Sequence, residues 1–124
     1  MSETNSLPTG SHFITQERAV EMTSEYRSNK EAILATGYQN QGILPLSETF
    51  NRGEIDTLLG KSGCEGLRIY YGMDENLKVH AIIIPVNEDN EDILPGENAP
   101  VDNSIVEEGQ RCPDLCPPES PLNE

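Results

Sequence analysis

Two neighbouring runs of β-forming residues constrain the fold of this chain most. Residues 64–72 read Cys-Glu-Gly-Leu-Arg-Ile-Tyr-Tyr-Gly, and residues 79–86 read Val-His-Ala-Ile-Ile-Ile-Pro-Val. β-Branched and aromatic residues are dense in both runs, and a short polar segment separates them. The pattern predicts an antiparallel hairpin with strands at 66–73 and 78–86 and a turn centred on Glu75-Asn76.

Two segments before the hairpin have helical patterns. The first spans residues 15–35, where Thr15 stands at the N-cap position. The second spans residues 47–59, with Ser47 as its N-cap candidate. We expect both helices to pack on one face of the hairpin sheet, which gives an α+β fold. Their predicted apolar faces consist of Ala19, Met22, Tyr26 and Ile33 in the first helix, and of Phe50, Ile55, Leu58 and Leu59 in the second.

The predicted sheet also needs a third strand. An isolated two-stranded hairpin is only marginally stable in water, so another segment has to extend it. After the hairpin, the apolar segments are Ile93-Leu94 and Ser104-Ile105-Val106. We expect one of these two segments to supply the additional strand.

Negative charge and proline are concentrated after residue 86. Residues 87–124 carry 11 acidic residues, one basic residue and six of the nine prolines. Such a segment buries little apolar surface, so it does not offset the entropy lost on ordering. Three regions are therefore predicted: a flexible lead-in over 1–12, an α+β core over 13–86, and an acidic extended tail over 87–124 that docks only in part.

The formal net charge of −14 bears on the expected partners and location. Binding to nucleic acid requires clustered Lys and Arg, and anionic membranes attract basic segments. We therefore expect neither nucleic acid nor a membrane as a partner. The odd number of cysteines, three, and the polar first residues favour a reducing compartment, which predicts a cytoplasmic protein.

The sequence contains no catalytic motif. It lacks a nucleophile elbow and a spaced carboxylate pair, and the chain is short for a deep pocket. We therefore expect no enzymatic activity. The competing enzyme hypothesis would use Cys64 as nucleophile with His80 as base, although a cysteine at the start of a strand is more typical of a core thiol.

The cysteine pair near the C-terminus leaves several alternatives open. Cys112 and Cys116 have Cys-x-x-x-Cys spacing rather than the Cys-x-x-Cys spacing of thioredoxin-like sites. The pattern favours two free thiols, with a disulfide as one alternative. A second alternative combines the pair with Cys64 and His80 in a Cys3His zinc site. The main expectation is a protein without a cofactor, and the alternative is a small zinc- or redox-linked protein that uses these four residues.

The second predicted strand is apolar on both faces. The two helices can cover one face only, and an uncovered apolar face usually marks an interaction surface. A small sheet also offers unpaired edges to another strand. We therefore expect a structural or protein-interaction module that forms homo-oligomers through its sheet and tail. The predicted surface consists of Arg68, Tyr70, Val79, Ala81, Ile83, Ile93, Leu94, Ile105 and Val106.

Three parts of the sequence together resemble a known family. They are the run at 64–72, the Ile14-Thr15 helix start before it, and Cys112-Pro113 with Cys116 after it. This combination resembles a family of short uncharacterised bacterial proteins, over residues 13–118. The resemblance implies a bacterial cytosolic protein, and it implies no activity, cofactor or catalytic residue.

Overall fold

Two helices and two small antiparallel sheets make up the regular structure. The computed structural model describes residues 10–95 and 105–123. The two sheets pair β1 with β4 and β2 with β3, so the predicted α+β class is confirmed. In chain order the elements are α1 (Gln16–Asn29), a 3-10 helix (Thr36–Tyr38), β1 (Ser47–Thr49), α2 (Arg52–Leu59), β2 (Gly66–Met73), β3 (Val79–Val86) and β4 (Gln110–Cys112).

These elements belong to two compact units, each assembled from separate stretches of the chain. The first unit contains α2 and most of β2 and β3. The second unit contains α1, β1 and β4. Within the described residues, the first unit consists of 50–72, 80–95 and 105–109, and the second of 10–49, 73–79 and 110–123.

The predicted hairpin is confirmed, and its bounds agree with the prediction to within one residue. The Leu77 backbone N–H donates to the Asp74 carbonyl at 2.9 Å, which places Glu75 and Asn76 at the centre of the turn. The Asp74 carboxylate accepts from the backbone N–H groups of Asn76 at 2.8 Å and Lys78 at 3.0 Å. An aspartate that binds its own backbone in this way favours a tight turn.

The first helix begins as predicted and ends earlier. The Thr15 hydroxyl accepts from the Arg18 backbone N–H at 3.0 Å, which confirms Thr15 as the N-cap. The helix ends at Asn29 rather than near residue 35. Asparagine is a poor helix former, and the Asn29 amide donates to the Glu25 carbonyl at 2.9 Å. Ile33 therefore lies outside the helix and is exposed.

The second helix begins five residues later than predicted, and Ser47 is not its N-cap. Ser47 instead begins β1, which pairs antiparallel with β4, so that Ser47 lies opposite Cys112 and Thr49 opposite Gln110. The N-cap position of α2 is Asn51. Residues 47–49 are a strand because β4 supplies their hydrogen bonds, and that partner lies far along the chain.

The core of the first unit forms where α2 packs on β3. Leu58 has no exposed surface, and it packs against Ile83 and Val106, with Phe50 and Ile55 partly buried against this cluster. The second predicted helix therefore contributes its apolar face as expected, except that Leu59 is half exposed.

Isolated bridges to β3 occupy the place of the predicted third strand. Ile83 and Val106 exchange two backbone hydrogen bonds of 2.8 and 2.9 Å. A second bridge joins Val86 to Asp92, and the backbone N–H of Ile93 donates to the Pro85 carbonyl at 2.9 Å. Both predicted segments thus contact β3, but each does so over one or two residues.

Parts of two predicted regions lie outside the described residues. They are residues 1–9 of the lead-in and residues 96–104 and 124 of the tail, including Ser104 of the predicted third strand. Residues 10–12 have no regular helix or strand. Within 10–95 and 105–123, neither helix has the length and apolar character needed to cross a bilayer.

The Arg111 side chain connects three stretches of the second unit. Its guanidinium donates to the Gly42 carbonyl at 2.8 Å and also to the Val79 carbonyl. The Val79 N–H in turn donates to the Ile43 carbonyl at 2.8 Å. One side chain of β4 therefore satisfies backbone carbonyls from segments that are distant in the sequence.

Candidate functional site

One face of β2 exposes an apolar stripe. Leu67, Ile69 and Tyr71 alternate along the strand and therefore share one of its faces. Their exposed fractions are 37%, 51% and 78%. We call these three residues the β2 stripe. An alternating row of exposed apolar side chains is the kind of surface that usually contacts another molecule.

The structure corrects part of the predicted interaction surface. Ile83 and Val106 are only 7% and 9% exposed because they pack against Leu58 in the core of this chain. Tyr70, Leu94 and Ile105 are exposed. The remaining residues of the predicted surface are half-buried, namely Arg68, Val79, Ala81 and Ile93.

The polar residues of that predicted surface bind their own chain. The Arg68 guanidinium contacts the Asp92 carboxylate and the Asn90 side chain, and it donates to the Asn90 carbonyl at 3.1 Å. The Tyr70 hydroxyl donates to the other Asp92 oxygen at 2.6 Å. Burial lowers the pKa of Arg68, but its hydrogen bonds to Asp92 and Tyr70 outweigh this and raise it above the ordinary value. These contacts fasten the turn after β3 to β2.

Within the described residues, β2 is an edge strand of its sheet. Its sheet has two strands, and β2 pairs with β3 alone. The far side of β3 carries the bridges from Val106 and Asp92. Within 10–95 and 105–123, β2 is therefore the strand of this hairpin on which backbone groups remain for pairing with another strand.

The C-terminal cysteine pair is a disulfide, so the preference for two free thiols was wrong. Cys112 and Cys116 are bonded, with their Cα atoms 4.4 Å apart. The backbone N–H of Leu115 donates to the Arg111 carbonyl at 2.8 Å, which closes the turn and brings the two cysteines together. Sequence spacing alone does not reveal this turn.

The structure does not assemble the four residues of the zinc alternative. Cys64 is a half-buried thiol that donates to the Gly66 carbonyl at 3.3 Å. The His80 Nδ1 atom lies 3.2 Å from a carboxylate oxygen of Glu107. Across the two described ranges, no three His, Cys, Asp or Glu side chains are placed to hold a metal ion together.

The second unit contains a groove that the sequence did not indicate. It has a volume of about 550 Å³ and lies between α1 and the residues that follow β4. The Tyr26 hydroxyl at its wall donates to the Pro45 carbonyl at 2.7 Å, and the Arg27 guanidinium donates to the Leu122 carbonyl at 2.7 Å. The groove was missed because its walls come from distant parts of the sequence. Its apolar lining includes Met22, Leu46, Pro117, Pro118 and Leu122.

The burial of the Tyr26 phenol predicts a pH-dependent stability. Burial raises the pKa of the Tyr26 phenol above 10.0, the Arg111 charge lowers it, and Glu31 raises it. Folding therefore favours the neutral phenol. Its contribution is complete below the pKa of the unfolded chain and is lost as the pH rises through the higher pKa of the folded chain.

We expect Tyr26→Phe to lower the free energy of unfolding by about 1 kcal/mol at neutral pH. Above pH 10, the Tyr26 phenol of the unfolded parent chain ionises before that of the folded chain. The free energy of unfolding should therefore fall less between neutral and alkaline pH in the variant than in the parent chain. Urea denaturation at neutral and alkaline pH measures both effects, with Tyr38→Phe at an exposed tyrosine as the control. The same alkaline loss in the Tyr26→Phe variant and the parent would contradict this explanation.

The fold places the chain among α+β proteins with small antiparallel sheets. No protein-family model, curated protein or solved structure matches it. The family resemblance carried by residues 64–72 therefore stays a prediction. The geometry of the β2 stripe on an edge strand is the feature from which function is inferred.

Proposed function

We propose that this protein is a non-enzymatic interaction module that forms a homodimer through the outer edge of β2. The observation that carries the proposal is the β2 stripe, in which three apolar side chains are exposed on a strand at the edge of its sheet. Adding a strand there would pair backbone groups and cover apolar surface at once. The bridges on β3 direct this addition to β2 rather than to the other edge.

A second copy of the chain suits this edge because the β2 stripe is self-complementary. In a two-fold symmetric contact, residue i of one copy meets residue j of the other, and j meets i. Antiparallel pairing centred on Ile69 would place Leu67 opposite Tyr71 of the second copy and Ile69 opposite its own counterpart. Every apolar residue of the stripe would then face another apolar residue. The two hairpins would form one four-stranded sheet.

The expected affinity is moderate. Burying three partly exposed apolar side chains on each copy contributes on the order of 1–2 kcal/mol per side chain. Much of this gain is offset by the entropy cost of association. Repulsion between two chains of formal charge −14 opposes the dimer further, and salt screens this repulsion. We therefore expect a micromolar dimer that becomes tighter as the ionic strength rises.

Sedimentation equilibrium and light scattering test the proposal. The purified chain should show a monomer–dimer equilibrium between about 1 μM and 1 mM, within the range of weak protein complexes. Raising the NaCl concentration from about 50 to 500 mM should lower the dissociation constant severalfold, because the Debye length shortens. A strict monomer at the highest concentration in both salts would contradict the proposal. Repeating the series with a metal chelator distinguishes a sheet contact from metal-mediated association.

We also propose that the protein acts in the cytoplasm. The odd number of cysteines in the sequence supports this location, because secreted proteins tend to pair all their cysteines. The half-buried free thiol of Cys64 is in keeping with a reducing environment. The disulfide between Cys112 and Cys116 would then be exposed to cellular thiols.

A further inference from the structure

The disulfide between Cys112 and Cys116 plays no part in the proposed dimer. We propose that it is a site of thiol–disulfide exchange with a dithiol reductant, and that its opening releases the segment 113–123, here called the C-terminal segment. The inference rests on the disulfide and its surroundings. It is independent of association through β2, because the pair belongs to the second unit.

The two cysteines of the disulfide differ in accessibility. Cys112 is 4% exposed, whereas Cys116 lies in an exposed part of the chain. Cys112 is also fixed by β1, since it lies opposite Ser47 and its carbonyl accepts from the Leu46 N–H at 2.8 Å. Exchange depends on which sulfur an incoming thiolate can reach. An external thiolate should therefore attack the sulfur of Cys116, and Cys112 should be the leaving group.

The exchange is balanced with the dithiol as the reductant. Its thiolate attacks Cys116 Sγ and forms a mixed disulfide, while the bond between Cys112 and Cys116 breaks and Cys112 leaves as a thiolate that takes up a proton. The second thiol of the reductant then attacks the reductant sulfur that is bonded to Cys116 Sγ. This closes the disulfide of the reductant and releases Cys116 as a thiolate, which is also protonated. The chain gains two electrons and two protons, and the dithiol becomes a disulfide.

Among the described residues, hydrogen bonds attach the C-terminal segment to the rest of the second unit near its start and near its end. Within the second unit, the Leu115 N–H donates to the Arg111 carbonyl at 2.8 Å and the exposed Arg27 guanidinium donates to the Leu122 carbonyl at 2.7 Å. The remaining hydrogen bonds of Ser120 and Asn123 lie within the segment itself. Opening the disulfide should therefore leave β4 paired with β1 and loosen the segment that forms one wall of the groove.

Trapping of a mixed disulfide tests the direction of attack. The oxidised full-length chain is treated with reduced glutathione, quenched with N-ethylmaleimide, and mapped by tandem mass spectrometry. Glutathione should be found on Cys116, with the alkyl group on Cys112. Glutathione on Cys112, or a bond that resists both glutathione and dithiothreitol in the folded chain, would overturn the proposal. A Cys64→Ser variant should give the same result, because Cys64 takes no part in the exchange.

Hydrogen exchange tests the structural consequence. On reduction with dithiothreitol, amide protection within residues 113–123 should fall by about tenfold or more, because the closed loop no longer restricts the segment. Amides of β2 and β3 should keep their protection. A Cys116→Ser variant should exchange like the reduced chain without any reductant. Unchanged protection of residues 113–123 in both samples would show that the disulfide does not hold the segment. Loss of dimerisation through β2 would leave both tests unaffected.

Discussion

Replacing Leu58 by alanine is expected to lower the free energy of unfolding by about 2–5 kcal/mol. Leu58 has no exposed surface and packs against Ile83 and Val106, so its truncation removes apolar contacts and leaves a cavity. Urea denaturation followed by circular dichroism measures the loss. Small domains are stable by only about 5–15 kcal/mol, so the variant should unfold at a clearly lower urea concentration.

The neighbouring leucine provides a matched control for Leu58→Ala. Leu59 lies in the same helix and is 50% exposed. Leu59→Ala removes the same atoms from the same helix. It should lower the free energy of unfolding by less than about 1 kcal/mol, because much of the Leu59 side chain already contacts water. Equal losses in the two variants would mean that the cluster around Leu58 is not the core of the first unit.

Replacing Ile69 by lysine is expected to weaken the proposed dimer by about 100-fold or more. The two-fold contact brings both copies of Ile69 to its centre, so a single substitution removes two apolar side chains from the interface. The loss of about 1–2 kcal/mol for each of these two half-exposed side chains, together with the cost of placing two lysines at the contact, accounts for the size of the effect. Lysine at a sheet edge also discourages pairing of strands. Sedimentation equilibrium of the variant and the parent chain measures the change.

Leu59→Lys is the control for the Ile69 experiment. Leu59 and Ile69 are exposed to nearly the same extent, 50% and 51%, and the two substitutions change the net charge equally. The added positive charge reduces the repulsion between two acidic chains, so charge alone would favour association in both variants. Leu59→Lys should therefore dimerise at least as well as the parent. Association of Ile69→Lys at the parent affinity would place the interface elsewhere.

The hairpin and its turn could be predicted because their signals are local. The bounds of β2 and β3 follow from two dense runs of β-forming residues, and Asp74 fixes the turn through bonds to its own backbone neighbours. The start of α1 follows likewise from the Thr15 cap. In each case the residues that decide the structure lie within a few positions of one another.

The elements that were mispredicted depend on distant partners. Residues 47–49 have a local sequence that suits a helix start, yet β4 makes them a strand. The same limit explains why Ile83 was placed on the predicted interaction surface. Ile83 is buried by Leu58 from α2 and by Val106 from beyond the hairpin, whereas the β2 stripe is exposed. A strand that is apolar on both faces contains no pattern that decides between them.

The chemical state of Cys112 and Cys116 could not be predicted from their spacing in the sequence either. A Cys-x-x-x-Cys spacing is compatible with free thiols, a metal site or a bond, and the decision depends on whether the intervening turn closes. The hydrogen bond from Leu115 to Arg111 closes that turn. The groove beside the disulfide has no sequence signature, because its walls come from α1 and from residues after β4.

The discontinuous second unit has a consequence for how this chain is made. Residues 10–49 are translated before β4, but within the described residues the strand partner of β1 is β4, and the guanidinium that binds the Gly42 carbonyl belongs to Arg111. Because domains fold as units during synthesis, this unit has to wait until residue 112 has been translated. A product cut before that point would lack β4, and β1 would lose the strand with which it pairs. The second unit is therefore completed late in synthesis, although much of it is made early.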